Sequence, residues 1–209
     1  MSSTLLCVHY GCGICGPSDW LNFDASPWIK IQRIPIINQL PGIRSHVKYP
    51  STVHFGNVLR GLPVKNDAAD LAYCSHTLEH LTLEDCRIAL RETYRFLKPG
   101  GVFRAVQPDL RWICERFLAC DGPESVSQFM QSSLLGVRKN KSGLAWWRDL
   151  FSRDAHFWLW DYQSIMPELL AVGFKSVRRA HIHDNPHPAF LSVEDANRWE
   201  NCLGIEAIK

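Results

Sequence analysis

The chain has 209 residues, 46% of them hydrophobic, and a formal net charge of +2. That is enough for one sizeable core in one domain, and too little charge to point to nucleic acid as a partner. No run of 18 apolar residues suggests a membrane span, and the start "MSSTLLCVHYGCG" lacks the regions of a signal peptide, so a cytoplasmic protein with eight reduced cysteines is expected.

In chain order, "LLCVH" (5–9) is short and apolar enough for a buried strand, and "WLNFD" ends in a second. "STVHF", "DLAYCS" and "VFRAVQPD" read as a third, fourth and fifth. Apolar runs that stop at Asp, Gly or Pro and alternate with helical stretches indicate parallel strands in an α/β sheet. Leu83 to Leu97 is the clearest helix, with Thr82 and Asp85 as a capping pair and an apolar stripe through Leu83, Cys86, Leu90, Tyr94 and Leu97. Lys98-Pro99-Gly100-Gly101 stops it. A later helix is expected from about Ile165 to Val172, capped by Ser164, with Pro167 in its first turn and Gly173 at its end. "KSVRRAHI" and "GIEAIK" read as the last two strands, bridged by Ser192 to Trp199. Residues 111–160 break the rhythm. They hold Trp112, Trp146, Trp147 and Trp158 among basic residues, and are expected to form an aromatic-rich helical insertion within a single domain spanning 1–209. Trp146 and Trp147 could stack a sugar or an aromatic acceptor, but anchoring a small core is the better reading.

The stretch "YGCGICGPSDWLNFDAS" supports three readings. Cys12 and Cys15 form C-x-x-C, yet no second pair closes a zinc site, and Pro17 and Asp19 replace the helix a redox motif needs. Gly11, Gly13 and Gly16 spell G-x-G-x-x-G, the fingerprint of nicotinamide cofactors. That fold requires a full helix and an acid roughly 20 residues beyond the glycines, whereas Asp24 follows Gly16 almost at once. There remains a glycine turn at one strand end beside an acid at the next, a place where a ribose diol can donate to a carboxylate. Asp24 as a helix cap ahead of Pro27 is the plainer alternative.

Asp67 to Leu110 resembles the central block of class I S-adenosylmethionine-dependent methyltransferases. The likeness is narrowest to the type 11-like subgroup with Leu78-Glu79-His80 after the fourth strand and Leu97-Lys98-Pro99-Gly100-Gly101 before the fifth. "YGCG…WLNFDASP" is similar to members whose first helix is nearly absent. The resemblance covers about Leu5 to Leu110 and, loosely, the chain end. It implies a Rossmann-like three-layer sandwich: a mostly parallel sheet of about five strands plus an antiparallel edge hairpin from the last two. It also implies S-adenosyl-L-methionine as cofactor, with the Gly11–Gly13 turn at its methionine end and Asp24 on the ribose diol. Gly56 and Asn57 would lie at the adenine, and Ser75 and His76 on the sulfonium side. Glu79 and His80 would fasten the loop-to-helix junction, and Lys98 to Gly101 would be structural. Asn57 stands where the family usually has an acid.

If the acceptor must lose a proton, His76 and His156 are the candidate bases, with Asp109 after the fifth strand a further polar candidate; a turn residue and a packed, satisfied histidine are the competing readings. His181 and His183 share a strand face, but His187 lies beyond Pro186 and Asp184 faces away, so no metal site is expected. The sequence therefore leads to methyl transfer, at oxygen, to an unidentified small molecule or glycoconjugate. A non-catalytic binding or scaffold protein is the alternative, and a nicotinamide-dependent oxidoreductase the third.

Overall fold

A computed structural model describes residues 5–34, 48–135 and 155–209. Trp146, Trp147 and the basic residues around them lie outside the described residues. Seven strands form one sheet: β1 (Cys7–Tyr10), β2 (Leu21–Asp24), β3 (Val53–Phe55), β4 (Ala69–Ser75), β5 (Leu97–Pro108), β6 (Ser176–Ala180) and β7 (Cys202–Ile208). Their order is β3-β2-β1-β4-β5-β7-β6. β1 to β5 are mutually parallel, and β7 runs antiparallel to both β5 and β6, which gives the expected edge hairpin. Strand order reverses between β1 and β4, so the crevice at their carboxyl ends is where an open α/β sheet takes a ligand.

Among the described residues the helices are α1 (Trp28–Ile31), α2 (Leu83–Phe96), α3 (Leu110–Leu118), α4 (Ser125–Ser133), α5 (Tyr162–Val172) and α6 (Ala196–Trp199). The Thr82 side chain accepts from Asp85 N and starts α2 as expected, and the chain passes directly into β5 at Leu97. Helix α5 begins earlier than its apolar pattern suggests. Its cap is Asp161, and Ser164 is the return partner of a capping box, so Pro167 falls beyond the first turn. Two cap-competent residues three positions apart made the sequence ambiguous there. Gly173, at φ 119°, closes the helix as expected.

Alternation along β4 builds both faces of the sheet. Ala72 and Cys74 join a core with Cys86, Leu90 and Phe96 of α2 and Ile165 and Leu169 of α5. Leu71 and Tyr73 join Trp20, Phe190, Val193 and Trp199 on the other face. No helix stands between β1 and β2, so that second face is covered from far away in sequence. Trp20 Nε1 donates to Ala189 O at 3.2 Å and to Ser192 Oγ at 3.0 Å, tying the β1–β2 turn to the β6–β7 connection.

The same face holds a fully buried cation. Arg104 donates to Glu194 Oε1, Asp184 Oδ1 and Glu206 Oε2 at 2.7, 2.7 and 2.6 Å, and to His181 O at 2.8 Å. Phe190 and Trp199 flank its guanidinium. Burial raises the Asp184 pKa, but the Arg178 and Arg104 guanidiniums outweigh it and hold the carboxyl well below its ordinary value. A depressed native pKa adds stability that is present above the ordinary carboxylate range and is lost as the pH falls through it. Urea denaturation at pH 7 should show Arg104→Leu losing about 3–5 kcal/mol, the cost of stranding buried carboxylates. Acid titration should then show the wild-type chain losing stability below about pH 4, with its margin over the variant narrowing as the variant's stranded carboxylates take up protons.

Candidate functional site

Strand β1 runs into a turn in which Gly11 and Gly13 have φ of +61° and +54°, conformations that favour glycine. Asp24, at the end of neighbouring β2, braces that turn. Its Oδ2 accepts from Gly13 N at 2.9 Å and its Oδ1 from Ser26 N at 2.8 Å. Each oxygen uses one of its lone pairs, and the carboxylate borders a cleft of about 490 Å³. So the carboxylate is both a structural brace and a paired acceptor facing the cleft. It does not cap α1, whose first turn follows Pro27.

Phe55 pairs in register with Asp24 from β3 and is 36% exposed at the cleft, with Lys30 Nζ 3.7 Å from the centre of its ring. Asn57 also lines the cleft, and its Oδ1 accepts from Leu59 N at 2.9 Å, capping the 3-10 turn Val58–Arg60. Gly56 sits behind the wall. Its N donates to Asp24 O, and a Cβ there would press on Phe23 and Leu62.

Strand β4 leads to His76, which is in the left-handed region at φ 49°. Its Nε2 donates to Arg198 O at 2.9 Å, and its Nδ1 lies 3.1 Å from Glu79 Oε1. Burial lowers its pKa, but Cys202, Glu79 and the Arg198 carbonyl reverse that and bring it to about 10. Ser75 is buried, and its Oγ and O accept from Arg198 Nε and Nη2 at 2.8 and 2.9 Å. His156 is buried with Nδ1 donating to Ser133 O at 2.8 Å, and burial is the main reason its pKa falls below the ordinary value. Asp109 caps α3 by accepting from Arg111 N.

Residues 9–105 match the family described as Methyltransferase domain. The match runs from within β1 to within β5, a little under half of the chain. "Probable methyltransferase ltbC" of Aspergillus luteorubrus is 39% identical over 56 residues, which cover 25% of this chain and 20% of that protein. The chain thus matches about a fifth of the length of this curated relative. Two solved structures share the fold. An S-adenosylmethionine dependent methyltransferase from Mesorhizobium loti is 19% identical with a TM-score of 0.51, covering 99% of this chain and 91% of that one. A SAM dependent methyltransferase from Archaeoglobus fulgidus is 14% identical with a TM-score of 0.51, covering 98% and 86%.

The chain departs from a nicotinamide-binding unit at the expected place. Residues 11–20 link β1 to β2 with no helix, so the G-x-G-x-x-G pattern cannot build a dinucleotide fingerprint. All eight cysteines are free, and burial pushes the Cys12 thiol far above its ordinary value, which makes it a poor redox nucleophile. Of the residues expected to hold a cofactor, Gly11, Asp24, Asn57 and His76 line one cleft. Gly13, Gly56 and Ser75 support it from behind. Sequence reasoning missed Phe55, Tyr49 and Thr77, which line it too. Phe55 could have been found as the last residue of the expected third strand.

A Cβ at Gly11 would collide with the Thr77 side chain, whereas one at Gly13 would meet nothing within 4 Å. Gly13→Ala should therefore cost only the left-handed strain, about 1–2 kcal/mol. Gly11→Ala should cost more, and adding Thr77→Ala should recover part of the excess in a double-mutant cycle read by thermal unfolding.

Proposed function

We infer that the chain transfers a methyl group from S-adenosyl-L-methionine to a hydroxyl of a small molecule or glycoconjugate. The observation that carries this is the Asp24 carboxylate. Two backbone N–H groups fix it, and it still has acceptor capacity on both oxygens at the cleft. A ribose diol presents two adjacent O–H donors, and charge-assisted hydrogen bonds from both suit such a group. The Gly11 turn lets the methionine end approach the backbone, and Phe55 offers a ring face beside Asn57 for the adenine. Pairing of β2 with β3 puts Asp24 and Phe55 side by side, at the spacing of neighbouring strands.

Methyl transfer displaces a thioether from a carbon already activated by positive sulfur. The protein's task is to align acceptor, carbon and sulfur and to exclude water, and alignment supplies much of the rate. A second cavity of about 380 Å³, lined by His156, Asp109 and Trp112, adjoins the cleft at His76 and is the proposed acceptor chamber. With both nitrogens engaged, His76 is a positioning residue for the junction of the two spaces. Among the described residues no helix is long and apolar enough to cross a membrane.

The second reading, a non-catalytic binding protein, is favoured by the engagement of His76 and by the committed oxygen of Asn57. Calorimetry with S-adenosylhomocysteine, the demethylated product, tests binding under either reading. Micromolar affinity is expected for the wild type, with a loss of at least a hundredfold in Asp24→Ala, which removes two hydrogen bonds to a charged group at about 1.5–3 kcal/mol each. Tight binding with no methyl transfer across a panel of hydroxyl acceptors would favour the binding protein, and no binding at millimolar ligand would refute both.

A further inference from the structure

The 3-10 turn Leu78–His80 carries a carboxylate shut away from water. Glu79 is 1% exposed, and its Oε2 has no hydrogen-bond partner. The His76 ring lies against one side, with Nδ1 3.1 Å from Oε1. A buried carboxylate met on one oxygen alone remains costly, and proteins complete such a site with a further donor or a metal ion.

Two imidazoles stand beside it. His80 is the next residue on the turn. His156 arrives on a segment pinned to the same turn, because Phe157 N and Trp158 N both donate to Glu79 O, at 2.8 and 3.2 Å. His80 Nδ1 donates to Ala155 O at 3.1 Å, and His156 Nδ1 donates to Ser133 O at 2.8 Å. Carbonyl oxygens only accept, so in both rings the proton sits on Nδ1 and Nε2 keeps its lone pair. Ligating histidines are held in this way, with one N–H on a carbonyl and the other nitrogen on the metal. The ring centroids are 5.0 Å apart, and one donor atom from each of Glu79, His80 and His156 lies within 4.8 Å of the others.

We propose that Glu79, His80 and His156 bind one divalent transition-metal ion of the zinc type. Two imidazoles and a carboxylate suit such an ion and leave at least one coordination position open. Donor atoms about 2.0–2.2 Å from one ion stand about 3.3 Å apart, so loading draws the three inward. The site differs from both metal readings of the sequence, the Cys12–Cys15 pair and the histidines of "HIHDNPHP". His80 borders the cofactor cleft and His156 the second cavity, so the ion lies at their seam. There its open position would hold an acceptor hydroxyl and lower its pKa. That last role rests on the methyl-transfer reading, whereas the metal site does not.

The test uses the full chain, stripped with chelator and titrated with Co2+ in the absence of any nucleoside. One Co2+ per chain is expected, with weak visible d–d bands and no thiolate charge-transfer band. Proton spectra should show two hyperfine-shifted exchangeable imidazole N–H signals, from His80 and His156. Glu79→Gln, His80→Ala and His156→Ala should each weaken binding at least tenfold while retaining wild-type circular dichroism. No uptake, a thiolate band, or full affinity in the folded variants would overturn the proposal. Absence of the two shifted signals in the wild type would overturn it even if the variants do not fold. A chain that binds Co2+ in this way but no S-adenosylhomocysteine would keep the metal site and sink the methyl-transfer reading.

Discussion

A single carboxylate, Asp24, holds together the two chain segments on which the main cleft depends. Its oxygens accept one backbone N–H from the turn after β1 and one from the turn after β2, so both loops are fixed relative to one another at the carboxyl edge of the sheet. A helix after β1 would ordinarily orient the glycine turn through its own hydrogen bonds. This chain has none, and the brace takes over that work. The same charge also stands at the cleft wall. The helix cap that the sequence also allowed is not formed, and Asp24 braces the two turns instead.

The missing helix has a second consequence. One face of the sheet would lie bare beside β1, and the β6–β7 connection covers it instead, with Phe190, Val193 and Trp199 packing on Trp20 and Tyr73. That cover is thin and polar enough to admit Arg104, whose charge is met by carboxylates from the connection and from β7. Glu206 lies opposite Arg104 on one side and Arg178 on the other, a row of alternating charge across three strands. The connection also supplies Arg198, which clamps Ser75 and the His76 ring at the end of β4. Covering the exposed face and shaping the cleft are thus performed by one segment.

The strands and α2 were legible because their signals are local: apolar runs ended by turn residues, and a stripe at three- and four-residue steps. Asp24 was legible because it is the last residue of an apolar strand beside a glycine turn. What stayed hidden is long-range. Arg104 reads as a stray charge in "VFRAVQPD", and its three carboxylate partners lie 80 to 102 residues further on. His156 looked like a packed histidine among tryptophans, and only the backbone hydrogen bonds to Glu79 reveal that it faces His80. The cap of α5 was misplaced for a local reason, since Asp161 and Ser164 each satisfy the other's backbone N–H.

The most direct measurement of the central claim is a crystal structure of the chain grown with S-adenosylhomocysteine. The account predicts both ribose hydroxyls within hydrogen-bonding distance of the Asp24 oxygens, with the Gly13 N–H still bound behind them and the adenine against Phe55. Density for the nucleoside elsewhere, or a diol turned away from Asp24 in the occupied cleft, would contradict it.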